Sequence, residues 1–61
     1  MKMDVHDSQG ANVELEITQP GPIDVKKVWT FTFTFQNNFV TVITVDKYGL
    51  KAILAYLVHT L

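Results

Sequence analysis

Three side chains of metal-binding type, Asp4, His6 and Asp7, lie close together near the start of the chain. Alternate residues of a strand share a face, so an extended segment would place Asp4 and His6 side by side, where a hard or borderline metal could bridge them. Two or three exposed ligands at a chain terminus are far more often solvated than metal-bound. We therefore predict no metal site and no cofactor.

Paired carboxylates, at Glu14 and Glu16, are the second group of residues that could support chemistry. Two such groups can divide the acid and base roles of a reaction between them. Both lie on the outer face of a predicted strand, where no pocket is implied. Ser8 lies in a turn without a motif around it, there is no cysteine, and the three glycines are isolated from one another. We therefore predict no catalytic residue and a protein that is not an enzyme.

Size and charge narrow the function further. The chain has 61 residues, a net charge of −1 and five basic residues, all of them lysines. A single domain over residues 1–61 would bury only about 60% of the surface that its unfolded chain exposes, so its core is marginal. Without cysteine, close packing or oligomerisation must support the fold. The low positive charge disfavours a nucleic-acid-binding surface, which needs a basic patch.

The sequence carries no recognisable targeting or membrane signal. Its start, Met1-Lys2-Met3-Asp4, lacks the apolar run of a secretory signal. No apolar stretch approaches the roughly 20 residues of a membrane span. We expect a cytoplasmic protein that does not enter a membrane.

The element that must organise the chain is a β-hairpin between Trp29 and Val45. Aromatic residues alternate with threonines up to Phe35, which is the two-residue period of a strand. β-Branched residues dominate the second half, beyond a polar break that is rich in asparagine. The aromatic row, as we call it, consists of Trp29, Phe31, Phe33 and Phe35.

Two hairpin registers are open to this sequence. A two-residue turn would leave Phe39 and Ile43 on the threonine face of the hairpin. A three-residue loop, Gln36–Asn38, instead sets Phe35 opposite Phe39 and Phe31 opposite Ile43, and its last residue can take the left-handed conformation that such a loop needs. We favour the three-residue loop because it collects more apolar side chains on one face.

Two more strands are predicted before the hairpin. Residues 2–6 alternate weakly, and residues 13–17 alternate apolar side chains with glutamates in the pattern of a half-buried strand. The turn composition of residues 7–10 favours antiparallel pairing of the two segments.

The second and third strands must be joined by a proline-rich segment. We predict a type II turn with Pro20 at its second position and Gly21 at positive φ. In a continuous strand, Ile23, Val25 and Lys27 would lie on the same face as the aromatic row. A lysine on that face requires a β-bulge, or the edge of the buried zone, at that point.

The last element is a helix from about Lys47 to the C-terminus, with Asp46 as a plausible N-cap. Gly49 in its first turn costs up to about 1 kcal/mol relative to alanine, so glycine there indicates close packing or an entry loop. We predict an α+β fold, in which an antiparallel meander of three or four strands carries one C-terminal helix across one face, in the order β-β-β-β-α.

The helix has two apolar sides. One side, the apolar stripe, is expected to cover the aromatic row; it consists of Leu50, Ile53, Leu54, Leu57, Val58 and Leu61. The opposite side, the back face, is uncharged and mixes small residues with aromatic ones; it consists of Tyr48, Ala52, Ala55, Tyr56 and His59. Such a back face is either ordinary solvent-exposed surface, because alanine is the best helix former and is tolerated in water, or an interface with a partner.

We favour the interface because a partner would supply burial that so short a chain lacks. The simplest partner is a second copy, since two-fold dimers are the commonest soluble oligomers. His59 would then be a pH-sensitive interface residue or, more simply, an ordinary interface or surface histidine. The resulting hypothesis is a homodimeric, non-enzymatic interaction module that binds and regulates or inhibits another protein. Small inhibitors encoded by phages and mobile elements share this build, which is an analogy of fold alone.

The alternative hypothesis is a protein that binds single-stranded nucleic acid by stacking bases on the aromatic row. Its site would consist of Lys26, Lys27, Trp29, Phe31 and Phe33. Only those two lysines adjoin the rings, and the helix needs a face to cover. We therefore favour the aromatic row as core.

Overall fold

The computed structural model describes all 61 residues and contains four strands and one helix. The strands form a single antiparallel sheet in the order β1-β2-β3-β4. The elements are β1 (Lys2–His6), β2 (Asn12–Thr18), β3 (Val28–Thr34), β4 (Val40–Asp46) and α1 (Lys47–Thr60). The predicted α+β class and the order β-β-β-β-α are confirmed.

The β3–β4 hairpin has the register of the three-residue loop. Phe31 lies opposite Ile43, and the amide of Phe35 donates to the carbonyl of Phe39 at 2.9 Å. Asn38, the last loop residue, has a φ of 65°. Asparagine tolerates this left-handed conformation better than most residues, which explains its place at the end of the loop.

The β1–β2 hairpin also closes with a three-residue loop, although the alternation in residues 2–6 is weak. The amide of Asp7 donates to the carbonyl of Ala11 at 3.0 Å, and Gly10 takes the left-handed position with a φ of 83°. The carboxylate of Asp7 accepts from the amides of Gln9 and Ala11, both at 2.9 Å. The strand over residues 2–6 is therefore real and pairs along its whole length with β2.

The turn between β2 and β3 differs from the prediction. The amide of Asp24 donates to the carbonyl of Gly21 at 3.2 Å, so Pro22 rather than Pro20 occupies the second turn position. Gly21 does not have a positive φ; Gly10 is the glycine that does. The amide of Gly21 also donates to the carboxylate of Asp24 at 2.6 Å. Both prolines suit the second turn position, and this reciprocal pair of hydrogen bonds favours Pro22.

The conflict at Lys27 is resolved by the position of the strand edge. β3 begins at Val28, so the preceding lysines lie in the connection and no bulge is required. Ile23 and Val25 also lie outside the sheet, and they are 91% and 97% exposed. Their alternation in step with the aromatic row therefore does not place them on the aromatic face.

The sheet has one apolar and one polar face, because residues directly opposite each other on neighbouring strands point to the same side. Val13 is 4% exposed and is the buried residue of the chain. The apolar side, which we call the aromatic face, consists of Met3, Val5, Val13, Leu15, Ile17, Trp29, Phe31, Phe33, Thr41, Ile43 and Val45.

The helix follows β4 without an intervening residue. Asp46 ends the strand and caps the helix, since its carboxylate accepts from the amide of Gly49 at 2.7 Å. A Cβ placed on Gly49 would lie 2.5 Å from Cγ1 of Val45. Glycine is therefore required here because the first helical turn approaches β4 closely, as one of the two interpretations of Gly49 proposed.

The predicted packing of α1 across the sheet is not found. No residue of α1 is buried, and its contacts with the sheet are concentrated at β4. Connections between consecutive strands and helices usually contain about 2–6 residues, and without such a linker the helix does not turn back over its own sheet. The radius of gyration is 13.2 Å, whereas a compact chain of this length has about 10.5 Å.

Candidate protein interface

The apolar stripe of α1 is open over most of its length. Leu50, next to the strand junction, is half-buried. Further along, Leu54 is 63% exposed, Leu57 45% and Val58 66%. The hydrophobic effect of burying one leucine or valine side chain fully is about 1.5–3 kcal/mol, and most of that stabilisation is unrealised in the single chain.

The back face is a real surface of the helix, and it is equally open. Because α1 is continuous from Lys47 to Thr60, helical periodicity places the back-face residues on one side. Tyr48 and Tyr56 are 75% and 68% exposed. The remaining back-face residues, Ala52, Ala55 and His59, are also exposed. The ammonium group of Lys47 lies 6.0 Å from the centre of the Tyr48 ring, at the edge of this surface.

The aromatic row is half-buried by the neighbouring strands rather than covered by the helix. Leu15 and Ile17 of β2 lie opposite Phe33 and Phe31, and Ile43 of β4 lies opposite Phe31 on the other side. Beyond the strand ends, the rings of Phe35 and Phe39 are 6.3 Å apart and tilted by 55°. The interpretation of the row as core therefore fails for the single chain, although the rings are positioned to become core under a second layer.

Charged side chains lie on the polar face of the sheet and not on the aromatic face. Asp4 is directly opposite Glu14, and Lys2 is opposite Glu16, with 4.0 Å between its ammonium nitrogen and the carboxylate. An exposed ion pair of this kind contributes at most about 1 kcal/mol. The two faces therefore differ in kind, since one carries charged side chains while the other is apolar except for Thr41.

The lysines of the nucleic-acid hypothesis lie in the connection before β3. Lys26 and Lys27 are exposed, and the ammonium group of Lys27 donates to the carbonyl of Pro22 at 3.2 Å. They stand at one end of the aromatic row, and no lysine lies within the aromatic face itself. A strand of nucleic acid crossing the rings would meet neutralising charge only at that end.

The metal-type residues near the N-terminus do not converge. Asp4 and His6 share the polar face, as predicted, where His6 lies opposite Asn12. Asp7 lies in the hairpin turn, and its carboxylate accepts the two turn amides. No three histidine, aspartate or glutamate side chains come together around a possible ion position.

The structure also has an open cavity that sequence reasoning missed. Its volume is about 460 Å³. It lies where the two three-residue hairpin loops meet at one end of the sheet. The lining residues are Asp7, Ala11, Asn12, Phe35, Gln36, Asn37, Phe39 and Thr41. The meander topology was the available signal, because alternate connections of a meander fall at the same end of the sheet.

The exposed surface of the single chain is larger than that of a compact protein of its size. It measures 5174 Å². A compact folded protein of this size exposes about 4,000 Å², so roughly 1,200 Å² is exposed in excess. Side chains of the apolar stripe, among them Leu54 and Val58, belong to this exposed surface.

Comparisons with protein-family models, with curated proteins and with solved structures found no significant match. No helix of the chain combines the length and the apolar character that a membrane crossing requires.

Proposed function

We propose that this protein is a non-enzymatic protein–protein interaction module that works as a homodimer and binds and regulates or inhibits another protein. The observation that carries the proposal is the helix α1, which has two apolar sides and no buried residue. A helix of this composition has more apolar surface than a solvated helix needs, and a protein partner is the natural cover for it.

The stability of α1 supports the same conclusion. It contains 14 residues, and isolated helices shorter than about 12–15 residues are marginal in water. The Asp46 cap stabilises it by about 1 kcal/mol, while Gly49 removes a similar amount. Contacts with β4 are confined to the first part of the helix, so packing against a second copy would add to its stability.

The back face is the surface that we assign to the contact between two copies. Ala52 and Ala55 let a second helix approach closely, and Tyr48 and Tyr56 flank them with broad amphipathic rings. A two-fold axis through this surface would bring the same residues of both chains together. The target protein would then be recognised by surfaces that the pair of chains presents.

Sedimentation of the full chain over a range of micromolar concentrations tests this assignment. We expect a dimer for the wild type, and a shift to monomer for Ala52→Glu or Ala55→Glu, because each substitution buries a charge without a counterion. Gln36→Glu adds the same charge in an exposed loop and should leave the dimer unchanged. A wild-type monomer at high micromolar concentration would refute the dimer.

Single-stranded nucleic-acid binding is the second candidate. Its support is that the aromatic row is half-buried rather than covered, so the rings are accessible for stacking. Against it stand the net charge of −1 and the position of the two lysines at one end of the row. Titration with a labelled oligonucleotide at low and high salt decides: binding with a steep salt slope would support this function, and no binding at low salt would eliminate it.

A further inference from the structure

The chain contains two apolar surfaces that fit each other but do not meet. The apolar stripe lies on a 14-residue helix, and the aromatic face lies on strands of seven residues in β2, β3 and β4. The helix is about 21 Å long and these strands are about 23 Å long. One helix of this length covers the central part of one such sheet.

The path of the chain separates the two surfaces. Asp46 belongs to β4 and also caps α1, so no linker exists in which the chain could reverse. A Cβ on Gly49 would lie 2.5 Å from Cγ1 of Val45, so the first helical turn lies close against the end of the strand. The stripe beyond Leu50 is therefore held away from the sheet of its own chain.

From this geometry we infer that the apolar stripe of each copy packs on the aromatic face of the other copy. The inference rests on the proposed homodimer and specifies how it is built. The stripe and the back face lie on opposite sides of α1, so a helix whose stripe is seated on the partner's sheet leaves its back face free for contact with the partner's helix.

The excess exposed area of the chain agrees with a second copy as the partner. If each chain covered its excess of roughly 1,200 Å², the pair would bury about 2,400 Å², which lies within the range of obligate homodimers. The aromatic face carries no charged side chain and accepts the stripe without burying an unpaired ion.

The test uses the full chain and its lack of native cysteine. A spin label is attached to a Thr60→Cys variant, at an exposed position beside the stripe, and this chain is mixed with ¹⁵N-labelled wild type. Paramagnetic broadening in the wild-type chain then reports contacts between copies only. We expect the amides of Phe31, Phe33 and Leu15 to lose most of their intensity. A diamagnetic label at the same position is the control.

Sedimentation of the same mixture separates the inference from the proposed function. A dimer with broadening on β2 and β3 supports the reciprocal packing. A dimer whose broadening is confined to α1 overturns it and leaves the back-face dimer intact. A monomer without broadening overturns both.

A complementation experiment provides a second measurement. One variant carries Leu54→Glu in the stripe, and another carries Phe31→Lys on the aromatic face. In a dimer of either variant alone, both stripe–sheet contacts contain a substituted residue. In the mixed dimer, the unchanged stripe of the Phe31→Lys chain meets the unchanged aromatic face of the Leu54→Glu chain, so one contact is intact. Recovery of dimer on mixing supports the inference, and failure of two folded variants to recover overturns it.

Discussion

The sheet and the helix differ in how much of their surface is satisfied by contacts within the chain. β3 is hydrogen-bonded on both sides, to β2 and to β4, and the hairpins on either side of the Gly21–Asp24 turn each close with a three-residue loop. The helix satisfies its own backbone, yet none of its side chains is buried. The interactions that hold the sheet together lie within the chain, whereas the helix contacts its own chain mainly at the junction with β4.

This difference indicates which part of the fold would depend on the proposed assembly. Hairpin contacts are local, so they can form in one chain at any concentration. In the proposed homodimer the second copy covers the apolar sides of α1, so the order of the helix should depend on concentration. We therefore expect α1 to lose structure before the sheet does.

The substitution with the largest expected effect is Leu57→Glu, which places a charge in the apolar stripe. A buried, unpaired carboxylate should weaken assembly by about 2–4 kcal/mol. With the proposed assembly lost, the far-ultraviolet circular dichroism signal of the helix should fall at low micromolar concentration, while the amides of β3, which is paired on both sides, should stay protected from hydrogen exchange. Sedimentation of the same samples should show monomer.

Lys51→Glu is the matched control for this substitution. It lies on the flank of the same helix, it is exposed, and it changes the charge by more than Leu57→Glu does. It should leave both helicity and assembly nearly unchanged. Equal losses for the two variants would show that α1 responds to charge in general, and the distinction between its apolar stripe and its flank would be wrong.

Gly49→Ala has an intermediate effect and tests the strand–helix junction. Alanine favours a free helix by about 1 kcal/mol. Here its Cβ would lie 2.5 Å from Cγ1 of Val45 and 3.2 Å from the carboxylate of Asp46. Overpacking of this kind usually costs about 1–3 kcal/mol, so we expect a net loss of about 1 kcal/mol in urea unfolding at fixed chain concentration.

A double-mutant cycle checks the cause of that loss. In the Val45→Ala background the clashing methyl group is absent, and Gly49→Ala should become neutral or stabilising there. An increase in stability for Gly49→Ala alone would mean that the junction adapts easily. The junction would then restrain the direction of α1 less than its close approach to Val45 indicates.

Much of the sheet could be predicted because its signals are local. The alternation in the aromatic row fixes the faces, and the loop that collects Phe35 and Phe39 on one side fixes the register. The cap at Asp46 is predicted in the same way, from one side chain and the amides that follow it. The grouping of the back-face residues follows from helical spacing alone.

The placement of the helix could not be predicted because it depends on the junction. Whether α1 covers its own sheet is decided by the absence of a linker after Asp46 and by the contact between Gly49 and Val45. Spacing predicts that the stripe needs cover and does not specify which chain supplies it. The prediction of Pro20 at the second turn position was wrong for a similar reason. Both prolines suit that position, and the hydrogen bond from the amide of Asp24 to the carbonyl of Gly21 places Pro22 there.

Effects of about 1 kcal/mol or less, without any change in assembly, are expected in the two hairpin loops, which have the same form and different left-handed residues. No atom lies within 4 Å of a Cβ built on Gly10, so Gly10→Ala should cost only the conformational penalty, about 1 kcal/mol. Asn38→Gly relieves part of such a penalty and also makes the unfolded chain more flexible, so it should stabilise by less than about 0.5 kcal/mol. Urea unfolding followed by Trp29 fluorescence measures both. Because the loops belong to the sheet, neither substitution should change sedimentation; a change in assembly would show that the sheet and the helix are coupled more tightly than their separate contacts indicate.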